Sequence, residues 1–312
     1  MTSPVLICGS VAFDTIALFE GRFKDHFLAE KLHAISVSFL VPTMRRDFGG
    51  CAGNIAYGMS LLGGKPVPVA TVGEDAGDYI DRLKSCGIDV SRIRVVKDTL
   101  TAQCYITTDL DNNQITAFHP GAMAFSAEND LTGIPAPWAI VAPDAKEGMF
   151  AHAAKLHAAK IPFVFDLGQA MPLFDGEDLA RMLKLASALT VNDYEAGVVE
   201  SRMGKPIEKI ARDLKAVVVT RGAEGATLYE NGKMFPIAAV KPGEVVDPTG
   251  CGDAHRAGLL FGLTHGWSWL DSCKLGNLMG ALKIAYKGPQ GCTLTKPEIA
   301  AQLHAAYALS LP

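Results

Sequence analysis

A three-layer α/β/α domain with a mostly parallel sheet and a small β-sheet lid is predicted by three features of the 312-residue chain. Short apolar runs that read as buried strands alternate with segments of helix length, the pattern of a parallel sheet covered on both faces. Two stretches, 15–48 and 99–120, break that alternation and read as half-exposed strands and a hairpin. Hydrophobic residues make up 49% and charged residues 20%, enough apolar side chain for one large core, and no repeat or low-complexity tract divides it. The core is therefore assigned residues 1–14, 49–98 and 121–312, and the lid residues 15–48 and 99–120.

Val5 to Gly9 is short, apolar and ended by glycine, a buried parallel strand. Ser10 to Asp14 follows at its carboxyl end, where open α/β sheets place ligand groups, so Asp14 is either a ligand hydrogen-bonder or a turn residue, and its position favours the ligand. Ala34 to Val41 alternates like a half-exposed antiparallel strand. Gly49-Gly50 ends this excursion, and Cys51 to Leu62 is a helix with Ile55, Met59 and Leu62 on one face. Val67 to Val72 is a buried strand and Ala76 to Cys86 an amphipathic helix. Thr101 to Thr108 and Gln114 to Phe118 form a hairpin around Asp111-Asn112-Asn113, which pairs with the first excursion to make the lid. Trp138 to Ala142, Phe163 to Leu167, Ala188 to Val191 and Ala216 to Thr220 are buried strands, the last followed by a hairpin over Thr227 to Pro236. From Ala254 the chain is largely helical, broken at Lys287-Gly288-Pro289.

A net charge of −4 favours neither nucleic acid nor an anionic membrane as partner. Seven scattered cysteines without CxxC pairs, and no signal peptide, predict reduced thiols in a cytoplasm. No apolar run approaches the ~20 residues that span a bilayer. The P-loop pattern is absent, and so is a GxGxxG after the first strand. His152, His157 and His265 lack partners with metal-ligand spacing and read as solvated or capping residues.

The chemistry concentrates in Asp247 to Gly258, DPTGCGDAHRAG, between a strand-like run (Val240 to Val246) and a helical one. Gly250 and Gly252 leave backbone amides at the helix start unshielded, and free amides there favour anions. Asp253 in the first turn adds a carboxylate. An amide nest for phosphate beside a proton acceptor is what phosphoryl transfer to an alcohol requires. The plainer alternative is a capped helix with Thr249 as N-cap, which does not need two glycines flanking a cysteine. Asn192-Asp193-Tyr194-Glu195, after a buried strand, suits a hydrated Mg²⁺ and phosphate oxygens, and on spacing alone suits a capping box almost as well. Thr220-Arg221-Gly222 with Gly225 is in isolation an ordinary strand exit.

DPTGCGDAHRAG and Gly49-Gly50-Cys51-Ala52-Gly53-Asn54 together resemble the ribokinase-like family of sugar and nucleoside kinases. Cys251, where the family is usually small and apolar, and His255, where it is usually aromatic, depart from it. GSVAFDTI, GRFKDHFLAEKLHAISVSFLV, FHPGAM, DLGQ and NDYE extend the likeness over nearly the whole chain, toward its bacterial adenosine-kinase branch. The resemblance implies an ATP- and Mg²⁺-dependent kinase of the 5′-hydroxyl of purine ribonucleosides. Asp253 would be the catalytic base and the amides of Gly250, Cys251 and Gly252 the anion site. It places Ser10, Asp14, Gly49, Gly50 and Asn54 at the ribose, and Ser36, Phe118, Met123 and Gln169 at the base. Cys104, where an aromatic would stack, implies a roomier base pocket. ATP falls to Asn192, Thr220, Arg221, Gly222, Gly225, Gly250, Gly252 and Asn277, and Mg²⁺ to Glu195 through water. Asp247, Thr249 and Gly288 would hold a monovalent cation such as K⁺. Alternatives left by the sequence are a kinase of ribose or fructose 6-phosphate, and a silent nucleoside-binding regulator. An exposed lid edge would allow a homodimer.

Overall fold

A computed structural model describes residues 3–27, 36–111 and 113–312. Nine strands form the main sheet: β1 (Pro4–Cys8), β4 (Lys65–Val72), β5 (Ile93–Val95), β8 (Trp138–Val141), β9 (Phe163–Asp166), β10 (Ala188–Asn192), β11 (Ala216–Thr220), β12 (Ala226–Glu230) and β13 (Lys233–Ile237), in spatial order 13-12-11-10-9-8-1-4-5. All neighbours from β11 to β5 are parallel, and the β12–β13 hairpin adds an antiparallel edge. Nine helices cover it among the described residues: α1 (Cys51–Leu61), α2 (Gly77–Ser85), α3 (Lys146–Ala158), α4 (Gly176–Leu185), α5 (Asp193–Met203), α6 (Ile207–Ile210), α7 (Cys251–Thr264), α8 (Trp269–Lys283) and α9 (Lys296–Tyr307). Strand β1 shows why the runs are apolar throughout. Val5 and Ile7 enter one core with α1, α7 and α8, while Leu6 and Cys8 enter the other with α3 and α4.

The second sheet is β2 (Ala12–Leu18), β3 (Thr43–Gly49), β6 (Ala102–Thr108) and β7 (Gln114–His119), in order 3-2-6-7. Two antiparallel pairs meet through a parallel β2–β6 contact. Its first strands are not where alternation suggested. Ala34 and Ile35 lie outside the described residues, and 36–42 is irregular, anchored by Phe39, whose ring packs at a tilt 4.8 Å from Phe19 and 5.1 Å from Phe23. The strands are instead Ala12–Leu18 and Thr43–Gly49, the latter too charged to show a period-2 pattern. Asn112 of the expected hairpin turn also lies outside the described residues.

Two further expectations give way. Val240 to Val246 is not a strand: Pro242 and Gly243 interrupt it, and Val245 and Val246 are exposed. His152 is neither solvated nor a cap; it is fully buried with Nε2 2.9 Å from the Ser126 carbonyl, and burial pushes its pKa down to about 4.

Candidate active site

Helix α7 opens on Gly250, whose φ of +80° puts it in the left-handed region. A Cβ there would stand 2.7 Å from Cβ of Pro289, so glycine lets the 287–291 loop close on the helix start. Thr249 is therefore not the cap, and no side chain caps this end. Of the three amides expected to face a phosphoryl group, that of Cys251 turns back to the Pro248 carbonyl at 3.2 Å. Among the described residues the amides of Gly250, Gly252 and Asp253 take no partner, the condition for an anion site.

Asp253, in the first turn and half-buried, accepts a 2.8 Å bond from Nδ2 of Asn54 on α1. Burial pushes its carboxyl up to about 6, against the lowering effect of that bond. Asn54 is held in turn: Gln290 Nε2 donates to its Oδ1 at 3.2 Å and lies 2.6 Å from the Tyr79 hydroxyl, which donates to the Gly49 carbonyl at 2.6 Å. A buried polar chain thus runs from the base of the small sheet to Asp253. Beside it the Arg256 guanidinium forks onto Asp166, Nε to Oδ2 at 3.0 Å and Nη2 to Oδ1 at 3.2 Å, both side chains nearly inaccessible. Tyr79, Gln290, Asp166 and Arg256 carried no assigned role in the sequence. Arg256 left a signal, a charge inside the apolar run 254–263 that has to find a buried partner.

The expected sugar-side residues gather at the junction of the two sheets. The Ser10 hydroxyl accepts from the Cys51 amide at 3.1 Å, and the Ser10 carbonyl from Ala52 at 2.9 Å. Gly50 sits at φ +82°, where a Cβ would meet the Ser10 carbonyl oxygen at 2.6 Å. Gly49 leaves room for Asp14, whose Oδ2 would stand 2.2 Å from a Cβ there. Across the small sheet Asp14 is in register with Asp47 on one side and Cys104 on the other, and Cys104 with Phe118. Residues directly opposite share a face, so Asp14, Cys104 and Phe118 form one row. Burial first, then the Asp47 carboxylate, push Asp14 up to about 6. Of the expected base contacts, Phe118 is half exposed on β7, Met123 is half-buried just after it, and Gln169 is exposed after β9. Ser36 is exposed on the irregular segment before β3.

On the other side of Gly252 lies a cavity of about 410 Å³. Thr220, Gly222, Gly225, Gly252 and Asn277 line it together with Cys251 and His255, which had no expected part in it. Asn192, Arg221 and Gly250 are not among its lining residues, and Arg221 Nε donates to the Thr227 hydroxyl at 3.0 Å. His255 is buried with neither ring nitrogen paired, and burial drives its pKa down to about 3. Asn192 and Glu195 do form a capping box: the Glu195 amide donates to Asn192 Oδ1 at 2.7 Å and the Asn192 amide to Glu195 Oε2 at 2.8 Å. The buried Glu195 carboxyl is nonetheless raised, first by burial and further by the Asp166 carboxylate. Oε1 of Glu195, without a protein partner among the described residues, is a carboxylate oxygen that fits a hydrated Mg²⁺ through water, whereas both oxygens of Asp166 are taken by Arg256.

The loop expected to hold K⁺ fits it poorly. Asp247 Oδ1 accepts from the Thr249 amide at 2.9 Å, and Oδ2 from the Gly288 amide at 2.9 Å and Arg45 Nη2 at 3.3 Å. The Asp247 carbonyl accepts from the Lys283 ammonium at 2.7 Å. Both oxygens of the carboxylate and the neighbouring carbonyl are already engaged, two of the donors being cations. Among the described residues no group of three or more metal-ligating side chains occurs, and no helix is long and apolar enough to cross a membrane.

The model of the pfkB family of carbohydrate kinases matches residues 23–296. The Burkholderia thailandensis nucleoside kinase in complex with inosine superposes with a TM-score of 0.88 at 49% identity, covering 98% of this chain and 99% of that one. The Methanocaldococcus jannaschii nucleoside kinase is 30% identical over 267 residues, 85% of this chain and 88% of that protein. Its solved structure superposes with a TM-score of 0.89, covering 97% of this chain and 99% of that one.

Proposed function

Because the chain belongs to the pfkB family of carbohydrate kinases and has its ribokinase-like fold, we propose that it transfers the γ-phosphoryl group of ATP to the 5′-hydroxyl of a purine ribonucleoside. The observation that carries the nucleoside reading is the row Asp14, Cys104, Phe118 across the small sheet. A carboxylate and an aromatic two strand spacings apart, roughly 10 Å, match a ribose diol and the base beyond it. Cys104 between them leaves room that an aromatic would fill, which suits inosine and guanosine as well as adenosine. The Burkholderia protein with inosine bound, at 49% identity, supports the same choice.

In this reading Asp253 takes the 5′-hydroxyl proton as the oxygen attacks the γ-phosphorus and the bond to the ADP oxygen breaks. A carboxyl raised to about 6 is a stronger base than an ordinary aspartate and is still ionised at neutral pH. Unpaired amides of Gly250 and Gly252 receive charge on the transferring group, and Asn54 aims the carboxylate. The cavity lined by Thr220, Gly222, Gly225 and Asn277 takes the nucleotide. Mg²⁺ held through water by Glu195 beside Asn192 would neutralise charge on the donor phosphates. The four-stranded sheet serves as the lid that excludes water from the ribose side, and its β7 edge, exposed along its length, offers a pairing surface to a second copy. Seven unpaired thiols suit a reducing compartment.

The test is product identity. Purified protein with MgATP and inosine should form the 5′-monophosphate in step with ADP, resolved by ³¹P NMR. ADP release without a phosphorylated nucleoside would end this proposal.

A further inference from the structure

Lys283, the last residue of α8, is only 2% exposed, yet it carries an ammonium group into the loop that ends against the α7 helix start. Its Nζ donates to the Asp247 carbonyl at 2.7 Å and to the Tyr286 carbonyl at 3.2 Å. The next residue, Ile284, accepts from the amides of Val246 and Asp247 at 2.9 and 3.0 Å. These bonds fasten the turn 284–288 to the segment that leads into Gly250. Pro289, on the far side of the turn, is what packs against Gly250. A buried positive charge is costly unless acceptors meet it, and here two carbonyls do. The Asp247 carboxylate lies in the same knot, held by Thr249, Gly288 and Arg45 of the small sheet.

We propose that Lys283 is a positioning residue that supplies, as a tethered ammonium, the charge a free monovalent cation would otherwise bring to this loop. An ammonium group has the charge of K⁺ and a comparable size, and it bonds the same kind of oxygen. Being covalently attached, it needs no ion from solution to order the turn, so the helix start is organised in any salt. A potassium ion here would have to displace Nζ from two carbonyls and sit beside two cationic side chains. Arg45 ties the same carboxylate to strand β3, and Gly288 packs against Asp47 of that strand, so the knot also couples the small sheet to the helix start.

The activity arm of the test rests on the kinase reading; the thermal arm does not. Wild-type rate with MgATP and inosine should be the same in potassium, sodium and choline chloride at equal ionic strength, and so should Tm. Lys283→Met keeps the stem and removes the charge. In choline it should lose kcat by about 10²-fold through misplacement of the helix start, with little change in nucleoside KM. Potassium or ammonium should restore the rate and raise the variant's Tm above its value in choline. If the variant does not fold, the wild-type salt series decides alone. If no substrate is turned over, the Tm series decides. Potassium activation or stabilisation of the wild type overturns the proposal. So does full activity of folded Lys283→Met in choline, or a folded variant whose rate and Tm no cation restores.

Discussion

Replacing Asp253 by Asn separates the proton acceptor from everything else that residue does. The amide oxygen can still accept the bond from Asn54, and the side chain keeps its volume at the start of α7. Two effects of opposite sign follow. Loss of the general base should lower kcat by about 10²–10⁴-fold with nucleoside KM little changed. Stability should rise. A carboxyl raised from 3.8 to about 6 holds its proton more tightly in the folded chain than in the unfolded one. Its contribution is therefore favourable below 3.8, lost as pH rises through 6, and a burden of up to ~3 kcal/mol at neutral pH. The neutral amide of Asp253→Asn lacks that burden. The variant should melt several degrees above wild type at pH 8, at about 2–4 °C per kcal/mol for chains approaching this size. Near pH 4 the difference should close. Steady-state kinetics with inosine and scanning calorimetry at the two pH values measure both. A variant with near wild-type kcat refutes the base assignment, and one whose Tm advantage over wild type is no larger at pH 8 than at pH 4 refutes the burial argument.

Asp14→Ala removes the carboxylate proposed to accept from the ribose diol and should lower ribonucleoside kcat/KM by roughly 10²–10⁴-fold, while residual 2′-deoxynucleoside activity barely changes; equal losses on both would contradict the diol reading. Gly50→Ala forces a side chain to φ +82° and 2.6 Å from the Ser10 oxygen, so urea unfolding should show at least ~3 kcal/mol lost. Arg256→Met strands Asp166 as a buried lone charge and should lose about 3–5 kcal/mol, most of it recovered in the double variant Arg256→Met/Asp166→Leu; a double variant no better than the single one excludes a paired charge as the cause.

The α/β core was legible because its strands and helices announce themselves by composition, as in Val5 to Gly9 and Ala216 to Thr220. The lid was only half legible. The hairpin of β6 and β7 carries a turn signal, whereas β3, TMRRDFG, shows no alternation because its charged side chains face the lid–core junction rather than water alone. Strand β5, three residues at a sheet edge, is too short for any period to register. At the site, the glycines and Asp253 could be read because helix-start chemistry is local in sequence. The chain from Gly49 through Tyr79, Gln290 and Asn54 to Asp253 could not, since its members are separated by up to 236 residues and only folding aligns them. Lys283 shows the same limit in another form. Its neighbours suggested a cation loop, but where a long flexible side chain ends is decided by the packing around it.

The comparison that bears most directly on a purine-nucleoside kinase is one of specificity, kcat/KM under identical MgATP for inosine, guanosine and adenosine against ribose and fructose 6-phosphate. A pocket built on the Asp14–Cys104–Phe118 row should prefer at least one purine ribonucleoside to either sugar by orders of magnitude, since only a nucleoside uses both ends of that row. Ribose or fructose 6-phosphate turned over faster than every purine ribonucleoside would contradict it.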